Sequence, residues 1–335
     1  MTALSIIIVN YKSATLIIEC LRTIYARTKN IDFEIIIVDN DSKDNSKESI
    51  LSTYPAVRWI GMDCNAGFAR ANNEGIRQSK AEVVLLLNPD TLVNDDAIDK
   101  CYRLFINSPF VACGVQLLNP DLSPQISGNY FVKGGLNYLL PLPYFGHVVK
   151  SLGILFKAKK PNVPNAESTV EVDWINGAFL MVKKSAIQHA GLLDEDFFMY
   201  AEETEWCSRL KKEGKLCIFG ELKVIHLQGE TALSTFNSSD KTYANLFDRK
   251  GLQIMLSNMV RIRKQFGIGW FLLMLAFYVF EIPIFLFGFL FSKIFYGSQA
   301  KYHFSQCKGY SRNVIYVLKM MSRIISNKPY FYKVL

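Results

Sequence analysis

The 335-residue sequence predicts an α/β fold, in which a doubly wound, mostly parallel sheet is followed by an apolar helical tail. Three observations carry this prediction. Strand-like apolar runs alternate with helix-like segments over the first third of the chain. These runs consist mainly of consecutive apolar residues rather than of apolar residues at every second position, which is typical of a sheet covered on both faces. Residues 268–292 contain a single charged residue, Glu281, so this stretch is apolar enough to associate with a membrane.

Four strands are expected in the first ninety residues. Each is a short run rich in β-branched residues, and segments with apolar residues at helical spacing separate them. Because parallel neighbours need such crossover connections, the sheet should be largely parallel. The predicted strands are Leu4–Val9, Phe33–Val38, Ala56–Ile60 and Val83–Leu87, and the helical segments lie around Leu16–Ile24, Ile50–Leu51 and Ala69–Ile76.

The alternation of strand-like and helix-like segments becomes irregular after residue 118. Gly, Pro and aromatic residues are frequent between residues 119 and 164, where Lys157, Lys159 and Lys160 form a basic stretch. We expect an irregular insertion here. It would serve as a lid, as a surface that meets a membrane or a second substrate, or as a plain solvated loop.

Regular structure is expected again beyond this insertion. Order returns at Val170–Val182, and a helix is predicted from about Glu202 to Glu213. We therefore divide the chain into three segments, which comprise residues 1–118, 119–260 and 261–335.

The composition limits the classes of function. The net charge is +8, which suits nucleic acid, anionic lipid or a phosphorylated substrate. The basic residues flank the apolar tail rather than aromatic stacking positions, so no nucleic-acid partner is expected. Seven cysteines without a CxxC pair, and an N-terminus that lacks signal-peptide features, predict that the first two segments lie in the reducing cytoplasm.

Polar clusters follow three of the predicted strands. Asn10-Tyr11 follows the first strand, Asp39-Asn40-Asp41-Ser42 the second and Asn88-Pro89-Asp90 the fourth. Ligands of doubly wound sheets bind beyond the carboxyl ends of the strands, so these clusters can line one crevice. The alternative is that Asn, Asp and Pro simply form the turns that strand ends require.

Two common nucleotide-binding motifs are absent from the sequence. A Rossmann pyrophosphate site needs glycines in the first strand–helix turn, but this turn reads Asn10-Tyr11-Lys12-Ser13. No GxxxxGK[ST] loop occurs either. A nucleotide would instead be held by side chains, with a metal ion on its diphosphate.

Six segments of the sequence form an ordered set of motifs, which comprises Ser5–Tyr11, Ile37–Ser42, Asn65–Asn73, Leu86–Asp90, Gly177–Val182 and Phe197–Glu203. These segments resemble, in the same order, the family 2 glycosyltransferases with a GT-A fold. The resemblance covers roughly Leu4 to Thr231 and is greatest to the bacterial rhamnosyltransferase-like enzymes of O-antigen, capsule and cell-wall polysaccharide assembly.

The resemblance implies that Mg²⁺ or Mn²⁺ acts on the donor diphosphate, where it would stabilise the charge of the leaving group. Asp90 is the expected ligand, because Asn88-Pro89-Asp90 is similar to a shortened form of the family's DxD motif. His226 lies in a stretch that resembles the family's HxxGx[ST] motif and is the expected second ligand. The alternative for His226 is a histidine whose hydrogen bonds are satisfied in the core.

A catalytic base must deprotonate the acceptor hydroxyl, and a carboxylate suffices for this step. Glu202 and Glu203 begin the predicted helix, where its dipole keeps them charged. The family pattern is Gly-Glu-Asp with the last carboxylate as the base, which corresponds to Glu203. Because this chain has Glu in place of Asp, the choice between Glu202 and Glu203 stays open. One displacement with one base implies inversion at the anomeric carbon.

The remaining candidate residues follow from the resemblance and from their side chains. Asp39 would bind the base or ribose, and Arg70 would either pair with phosphate or be an exposed helix cation. Trp174 offers an apolar face to a sugar, although a core tryptophan is the commoner finding. The further nucleotide-binding candidates are Asn10, Tyr11, Asn40, Asn72 and Asn88, and those on the sugar and acceptor side are Asp173, Trp174, Asn176 and Gly177.

The apolar tail has a charge and a proline at its centre, Glu281 and Pro283. A charge is costly inside a bilayer, and proline interrupts the helical hydrogen bonds. Both flanks are basic, so a single crossing would explain only one of them. We therefore favour two half-length helices in the cytoplasmic leaflet over one true span.

Together these observations predict an inverting, metal-dependent glycosyltransferase at the cytoplasmic face of the inner membrane. Residues 1–118 would bind the nucleotide-diphosphate sugar, residues 119–260 the acceptor, and residues 261–335 the membrane. The expected reaction moves a sugar, for example rhamnose from dTDP-rhamnose, to a lipid-linked (polyprenyl diphosphate) glycan. The alternatives are another donor sugar (galactofuranose, glucose or N-acetylhexosamine) and a membrane-tethered, non-catalytic scaffold that binds the nucleotide sugar.

Overall fold

The computed structural model describes residues 2–157, 161–227 and 245–334. Lys159, Lys160 and the segment 228–231 of the histidine motif lie outside the described residues. The chain forms two compact units. The first comprises residues 1–130, 162–198 and 202–231, and the second comprises residues 131–161, 199–201 and 232–335. The division into three functional segments stays a prediction.

The first 118 residues alternate strands and helices, as the sequence predicts. All four predicted strands are present, with ends that differ by at most two residues from those expected. The elements are β1 (Leu4–Asn10), α1 (Ala14–Arg27), β2 (Phe33–Asp39), α2 (Ser46–Thr53), β3 (Arg58–Gly61), α3 (Gly67–Gln78), β4 (Val83–Leu87), β5 (Thr91–Val93), α4 (Ala97–Ile106) and β6 (Phe110–Leu118).

The rest of the chain adds shorter strands and longer helices. They are β7 (Gly128–Asn129), α5 (Phe145–Leu155), β8 (Asn162–Val163), β9 (Thr169–Val172), β10 (Trp174–Ile175), β11 (Phe179–Lys183), α6 (Lys184–Ala190), α7 (Glu202–Glu213), β12 (Lys215–His226), α8 (Arg249–Phe266), α9 (Ile268–Tyr296) and α10 (Phe304–Ser326), with 3₁₀ turns at Lys133–Leu139 and Gly297–Gln299.

The main sheet of the first unit has nine strands among the described residues. Its order is β3-β2-β1-β4-β11-β6-β12-β5, and β9 also pairs with β12. The β3-β2-β1-β4 part is parallel, as is the β6–β12 pair, whereas β11 runs antiparallel between β4 and β6. The sheet is therefore mixed but mostly parallel in its first half, and the predicted α/β class is confirmed.

Strand order places the polar strand ends together. The order reverses between β1 and β4, which is the point where doubly wound sheets bind ligands. Asn10, the last residue of β1, pairs in register with Asp39, the last residue of β2. The strands themselves are buried on both faces, with Ile6, Ile37 and Leu85 fully inaccessible, so only their ends are available to a ligand.

Residues 119–164 are more regular than an irregular insertion. They contain two short strands, a 3₁₀ turn and the eleven-residue helix α5. The helix was not predicted because Gly146 and Gly153 interrupt its apolar pattern and Pro141 and Pro143 lie just before it. Both prolines precede the first turn, where a missing N–H does not break a helical bond.

The apolar tail is one continuous helix, α9, so the prediction of two half-length helices is wrong. Pro283 lies inside this helix and removes one backbone donor, but the neighbouring turns keep their bonds. Buried residues on both sides of the proline, including Tyr278 and Phe285, hold the helix in place. By length and composition α9 is the one described helix that could cross a membrane.

Candidate active site

Asn10, Asp39 and Ser42 form one hydrogen-bonded cluster at the carboxyl ends of β1 and β2. Asn10 Nδ2 donates to Asp39 Oδ1 at 2.7 Å and to Ser42 Oγ at 3.0 Å. Ser42 Oγ in turn accepts from the backbone N–H of Lys12, in the turn that follows β1. The neighbouring Tyr11 is partly exposed. This cluster fixes the Asp39 carboxylate at the strand edge, beside an aromatic ring that is open to a ligand.

Asn40 organises the loop that leads into α3. It is 4% exposed, and its Oδ1 accepts from the N–H of Ala66 at 2.8 Å, while its Nδ2 donates to Asn65 Oδ1 and Gly67 O. Asn72 is also buried and donates to the backbone O of Phe68 in its own helix. Both amides thus shape the loop and helix, and the nucleotide contact that the sequence predicts for them stays a prediction.

Gly67 lies where the Asn65–Asn73 segment contacts the Phe197–Glu203 segment. It has a φ of +79°, and a side chain at this position would overlap the backbone carbonyl oxygen of Phe198. The N–H of Phe68 donates to that same oxygen at 2.9 Å. Arg70, one turn further along α3, donates from Nε to the backbone O of Glu195 at 3.0 Å. The start of α3 is therefore locked to the segment just before the acidic helix α7.

Asp90 and His226 lie together at the ends of neighbouring strands. β5 pairs antiparallel with β12, which sets Thr91 opposite His226. Asp90 Oδ1 is 3.4 Å from His226 Nε2, and Asn88 Nδ2 lies 3.4 Å from the same nitrogen. Asp90 and His226 are 5% and 6% exposed. The two residues predicted as metal ligands thus face one another in a nearly water-free setting.

Gln125 determines which nitrogen of His226 carries the proton. Gln125 Nε2 donates to His226 O at 2.7 Å, to Asn119 Oδ1 at 2.8 Å and to Leu118 O at 3.3 Å, so the amide orientation is fixed. Its Oε1 then lies 2.9 Å from His226 Nδ1 and can only accept a hydrogen. Nδ1 is therefore the protonated nitrogen, and in the neutral ring Nε2 carries a lone pair that lies 3.4 Å from both Asp90 Oδ1 and the Asn88 amide nitrogen.

A divalent cation fits this arrangement. A carboxylate oxygen and a ring nitrogen lone pair that face one another at 3.4 Å repel unless a proton or a cation lies between them. Buried Nδ1–H donation is the usual support for a histidine that binds metal through Nε2. Among the described residues, no three His, Cys, Asp or Glu side chains lie close enough together to hold a metal ion. Further ligands would therefore come from phosphate and water.

Glu202 and Glu203 occupy different environments at the start of α7. Glu202 is 4% exposed, and its Oε2 is buried without a hydrogen-bond partner in the described part of the chain. Burial, together with the charge of Glu203, raises the pKa of the Glu202 carboxyl well above its ordinary value. Glu203 is partly exposed and lies beside Gly177, where a Cβ would be 3.6 Å from Glu203 Cγ.

One turn connects the Asp90 side of the site to the Glu203 side. The N–H of Asn88 donates to Ala178 O at 3.0 Å, and the preceding Gly177 packs against Glu203. The end of β4 and the start of α7 therefore contact adjacent residues of the same turn. The absence of a side chain at Gly177 leaves room beside Glu203.

Comparisons with known proteins match part of the chain to a known family. The model of glycosyl transferase family 2 matches residues 5–147, a range that includes Asn10, Asp39, Gln125 and Asp90. Residues 5–147 therefore form a glycosyl transferase family 2 domain.

Two curated relatives of this chain are named as sugar transferases. It is 31% identical over 63% of its length to the low-salt glycan biosynthesis hexosyltransferase Agl10 of Haloferax volcanii, covering 62% of that protein. It is 26% identical over 55% of its length to the N-acetylglucosaminyl-diphospho-decaprenol L-rhamnosyltransferase of Mycobacterium tuberculosis, covering 63% of that protein. The chain thus matches less than two thirds of the length of either relative.

A solved structure supports the GT-A-like fold. The crystal structure of GalNAc-T7 with UDP, GalNAc and Mn²⁺ superposes with a TM-score of 0.50 at 13% sequence identity. The superposition covers 67% of this chain and 43% of the GalNAc-T7 chain.

The residues that the sequence predicts to bind the sugar or the acceptor lie on and beside β10. Asp173 forms an ion pair with Lys211 of α7. Trp174 is partly buried, and its indole N–H has no acceptor among the described residues. Asn176 shapes the turn that contains Gly177, because its Oδ1 accepts from the N–H of Ala178 at 3.0 Å. Asp173 and Asn176 therefore connect the turn and α7 within the first unit.

Gln125 is the residue of this site that the sequence does not reveal. It lies in a loop with no motif, held at the end of β6, and the pairing of β12 with β6 brings His226 to it. We expect Gln125→Leu to let the Nε2–H tautomer of His226 form and to weaken Mn²⁺ binding about 10–100-fold. Nitrogen-15 NMR of the histidine rings would report the tautomer, and titration with Mn²⁺ would report the affinity.

Gln116→Leu is the matched control for this change. Gln116 is also fully buried and donates to Gln125 O at 2.8 Å, but it makes no hydrogen bond to His226 among the described residues. Equal tautomer populations in both variants would contradict the role of Gln125.

Glu202 makes the free energy of unfolding of this protein depend on pH. A carboxyl whose pKa is raised in the folded state keeps its proton while the unfolded chain loses it. Stability therefore falls as the pH rises above about 4.5, the pKa of the unfolded carboxyl, until the folded carboxyl also ionises. We expect Glu202→Gln to raise the free energy of unfolding at pH 8 and to leave it unchanged at pH 4. Urea unfolding at both pH values checks this, and a variant with the wild-type slope would contradict it.

Proposed function

We propose that this protein is an inverting, metal-dependent glycosyltransferase that uses a nucleotide-diphosphate sugar and a lipid-linked glycan acceptor. One observation supports it above all others. The turn at Gly177-Ala178 contacts Asn88, near the Asp90–His226 pair, and Glu203, the partly exposed carboxylate. A group for the leaving diphosphate and a group for the incoming hydroxyl therefore adjoin neighbouring residues of one short turn.

Glu203 is the proposed base. Its carboxylate stands at the first turn of α7, where the helix dipole favours the charged form, and it is open to an acceptor. It would accept the hydroxyl proton as the oxygen bonds to the anomeric carbon. Glu202 is buried, and burial raises the pKa of its carboxyl, which suits a structural role. One base and one displacement give inversion.

Asp90 and the Nε2 of His226 would hold Mg²⁺ or Mn²⁺. When bound, such a cation neutralises the charge that develops on the departing diphosphate. Asp39, held by Asn10 and Ser42, would bind the ribose or base, with Tyr11 against the nucleotide. Arg70 would turn toward the phosphates, and Asn88 would orient the ligands through its amide.

The donor and acceptor are proposed from the relatives' names and from the tail. A dTDP-rhamnosyl transferase of Shigella flexneri is 23% identical over 64% of this chain, and the mycobacterial relative is named for a diphospho-decaprenol acceptor. A polyprenyl diphosphate acceptor would explain the long apolar helix α9. We accordingly place the enzyme at the cytoplasmic face of the inner membrane, in cell-surface polysaccharide synthesis such as that of O-antigen.

A nucleotide panel tests this function. The melting temperature would be measured with dTDP, UDP and GDP, each with and without Mn²⁺, because a ligand that binds only the folded state raises it. Turnover of dTDP-rhamnose would then be measured with an N-acetylglucosaminyl-diphospho-lipid.

We expect one nucleotide to raise the melting temperature only when Mn²⁺ is present, and the product to have the inverted anomeric configuration. Stabilisation by a nucleotide without turnover of any sugar donor would instead favour the non-catalytic scaffold. The absence of any stabilisation would contradict nucleotide binding altogether.

A further inference from the structure

Helix α5 of the second unit is apolar yet buries almost nothing in the protein. Gly146 is its one buried residue. After Gly146, the largest side chains of the helix are exposed, and so is that of Phe156, which directly follows the helix. Ile154, Leu155 and Phe156 are 71%, 72% and 76% exposed. Monomeric soluble proteins seldom expose contiguous apolar side chains in this way, so such a surface indicates a partner.

Glu281 fastens the start of α5 to α9. Its carboxylate accepts from the backbone N–H of Tyr144 at 2.6 Å and of Phe145 at 3.0 Å, the first donors of α5. A carboxylate at a helix N-terminus satisfies free N–H groups and meets the favourable end of the helix dipole. The ring of Phe145 also stacks on Phe277 of α9 at 4.9 Å. The central acid of the apolar helix therefore anchors a second helix.

The exposed surface of α9 extends that of α5. Large apolar side chains of α9 are exposed on both sides of Pro283, and an open groove of about 880 Å³ runs along α9 beside Tyr144. Its lining is apolar apart from Ser292 and Lys301. The most exposed large apolar side chains of α9 are Phe280, Phe287, Ile294, Phe295 and Tyr296.

The net charge of the segments that contain α5 and α9 indicates which kind of partner these helices bind. Residues 131–161 and 249–335 contain eighteen Lys and Arg but a single acidic residue, Glu281, which is the buried anchor. Juxtamembrane cations are attracted to the negative surface of bilayers that contain anionic lipid. Apolar helices with basic neighbours are the usual form of interfacial anchors.

We propose that α5 is a second membrane-inserting element, which docks with α9 into the same leaflet of an anionic bilayer. Glu281 positions it, so that Ile154, Leu155 and Phe156 enter the acyl chains while Lys150 and Lys157 meet the headgroups. This inference rests on the proposed membrane association of α9 but not on the proposed sugar transfer.

Vesicle binding of the full-length chain tests the proposal. Vesicles of phosphatidylglycerol and phosphatidylcholine in equal parts would be sedimented with wild type and with the triple variant Ile154→Ser, Leu155→Ser, Phe156→Ser. We expect the partition coefficient to fall at least about tenfold, because three large side chains lose their burial in lipid. The double variant Leu104→Ser, Ile106→Ser removes exposed apolar residues from α4 of the first unit and should bind as wild type.

A second measurement does not depend on weakened binding. The fluorescence added by Phe156→Trp should be quenched by vesicles with brominated acyl chains, whereas that added by Leu104→Trp should not. Equal partition of the triple variant and wild type, or no quenching with Phe156→Trp, would overturn the role of α5. If wild type itself stayed in solution, the membrane association of the proposed function would fail as well, whereas loss of turnover with intact vesicle binding would refute only the sugar transfer.

Discussion

Glu203→Gln should lower turnover by about 10²–10⁴-fold while the protein remains folded. The amide has nearly the same shape as the carboxylate but cannot accept the proton of the acceptor hydroxyl. Glu203 is partly exposed, so the change leaves no buried charge unpaired. Because the base acts in the transition state, kcat should fall much more than the affinity for the donor nucleotide changes.

Two variants make this result specific. Glu213→Gln is the same substitution at the exposed end of the same helix and should leave turnover unchanged. Glu202→Gln should retain most of the turnover, because Glu202 is buried and its burial raises the pKa of the carboxyl, so that an uncharged amide resembles it. If Glu202→Gln abolished turnover and Glu203→Gln did not, the assignment of the base would be reversed.

Asp90→Ala is expected to lower turnover at least about 10³-fold, which corresponds to roughly 4 kcal/mol of transition-state stabilisation. The carboxylate is one of two protein ligands that we propose for the cation, and the other, His226, lies 3.4 Å away. Removing it should also weaken Mn²⁺ binding, which electron paramagnetic resonance of free Mn²⁺ can measure without any turnover.

The control for Asp90 is Asp96→Ala. Asp96 is a surface residue at the start of α4 that pairs with Lys100, and its loss should change neither turnover nor Mn²⁺ affinity. Thermal melting of Asp90→Ala would separate loss of the metal from loss of the fold. A folded Asp90→Ala variant that bound Mn²⁺ as wild type would contradict the proposed ligand.

The sequence predicts the parts of this molecule that local patterns control. The β1, β2 and β4 strands consist mainly of consecutive apolar residues, so their positions and the polar residues at their ends could be read from the sequence. Helix α7 begins and ends at the predicted residues, because its acidic first turn and its apolar spacing agree. The candidate residues at these strand and helix ends followed from the same patterns.

The parts that the sequence misses depend on distant pairing. Gln125 reaches His226 because β12 pairs with β6, and no local pattern encodes that contact. The continuous α9 follows from packing on both sides of Pro283, which outweighs the local tendency of proline to break a helix. Glu281 likewise looks like a costly charge in the sequence, whereas in the fold it satisfies the backbone of α5, more than a hundred residues earlier.

A crystal structure with Mn²⁺ and the stabilising nucleoside diphosphate would test the central claim most directly. We expect the metal ion to be bound by Asp90 and by Nε2 of His226, to contact the diphosphate, and to leave a space for a sugar between the diphosphate and Glu203. A diphosphate bound away from Asp90, or a Glu203 carboxylate that points away from the sugar position, would contradict the account.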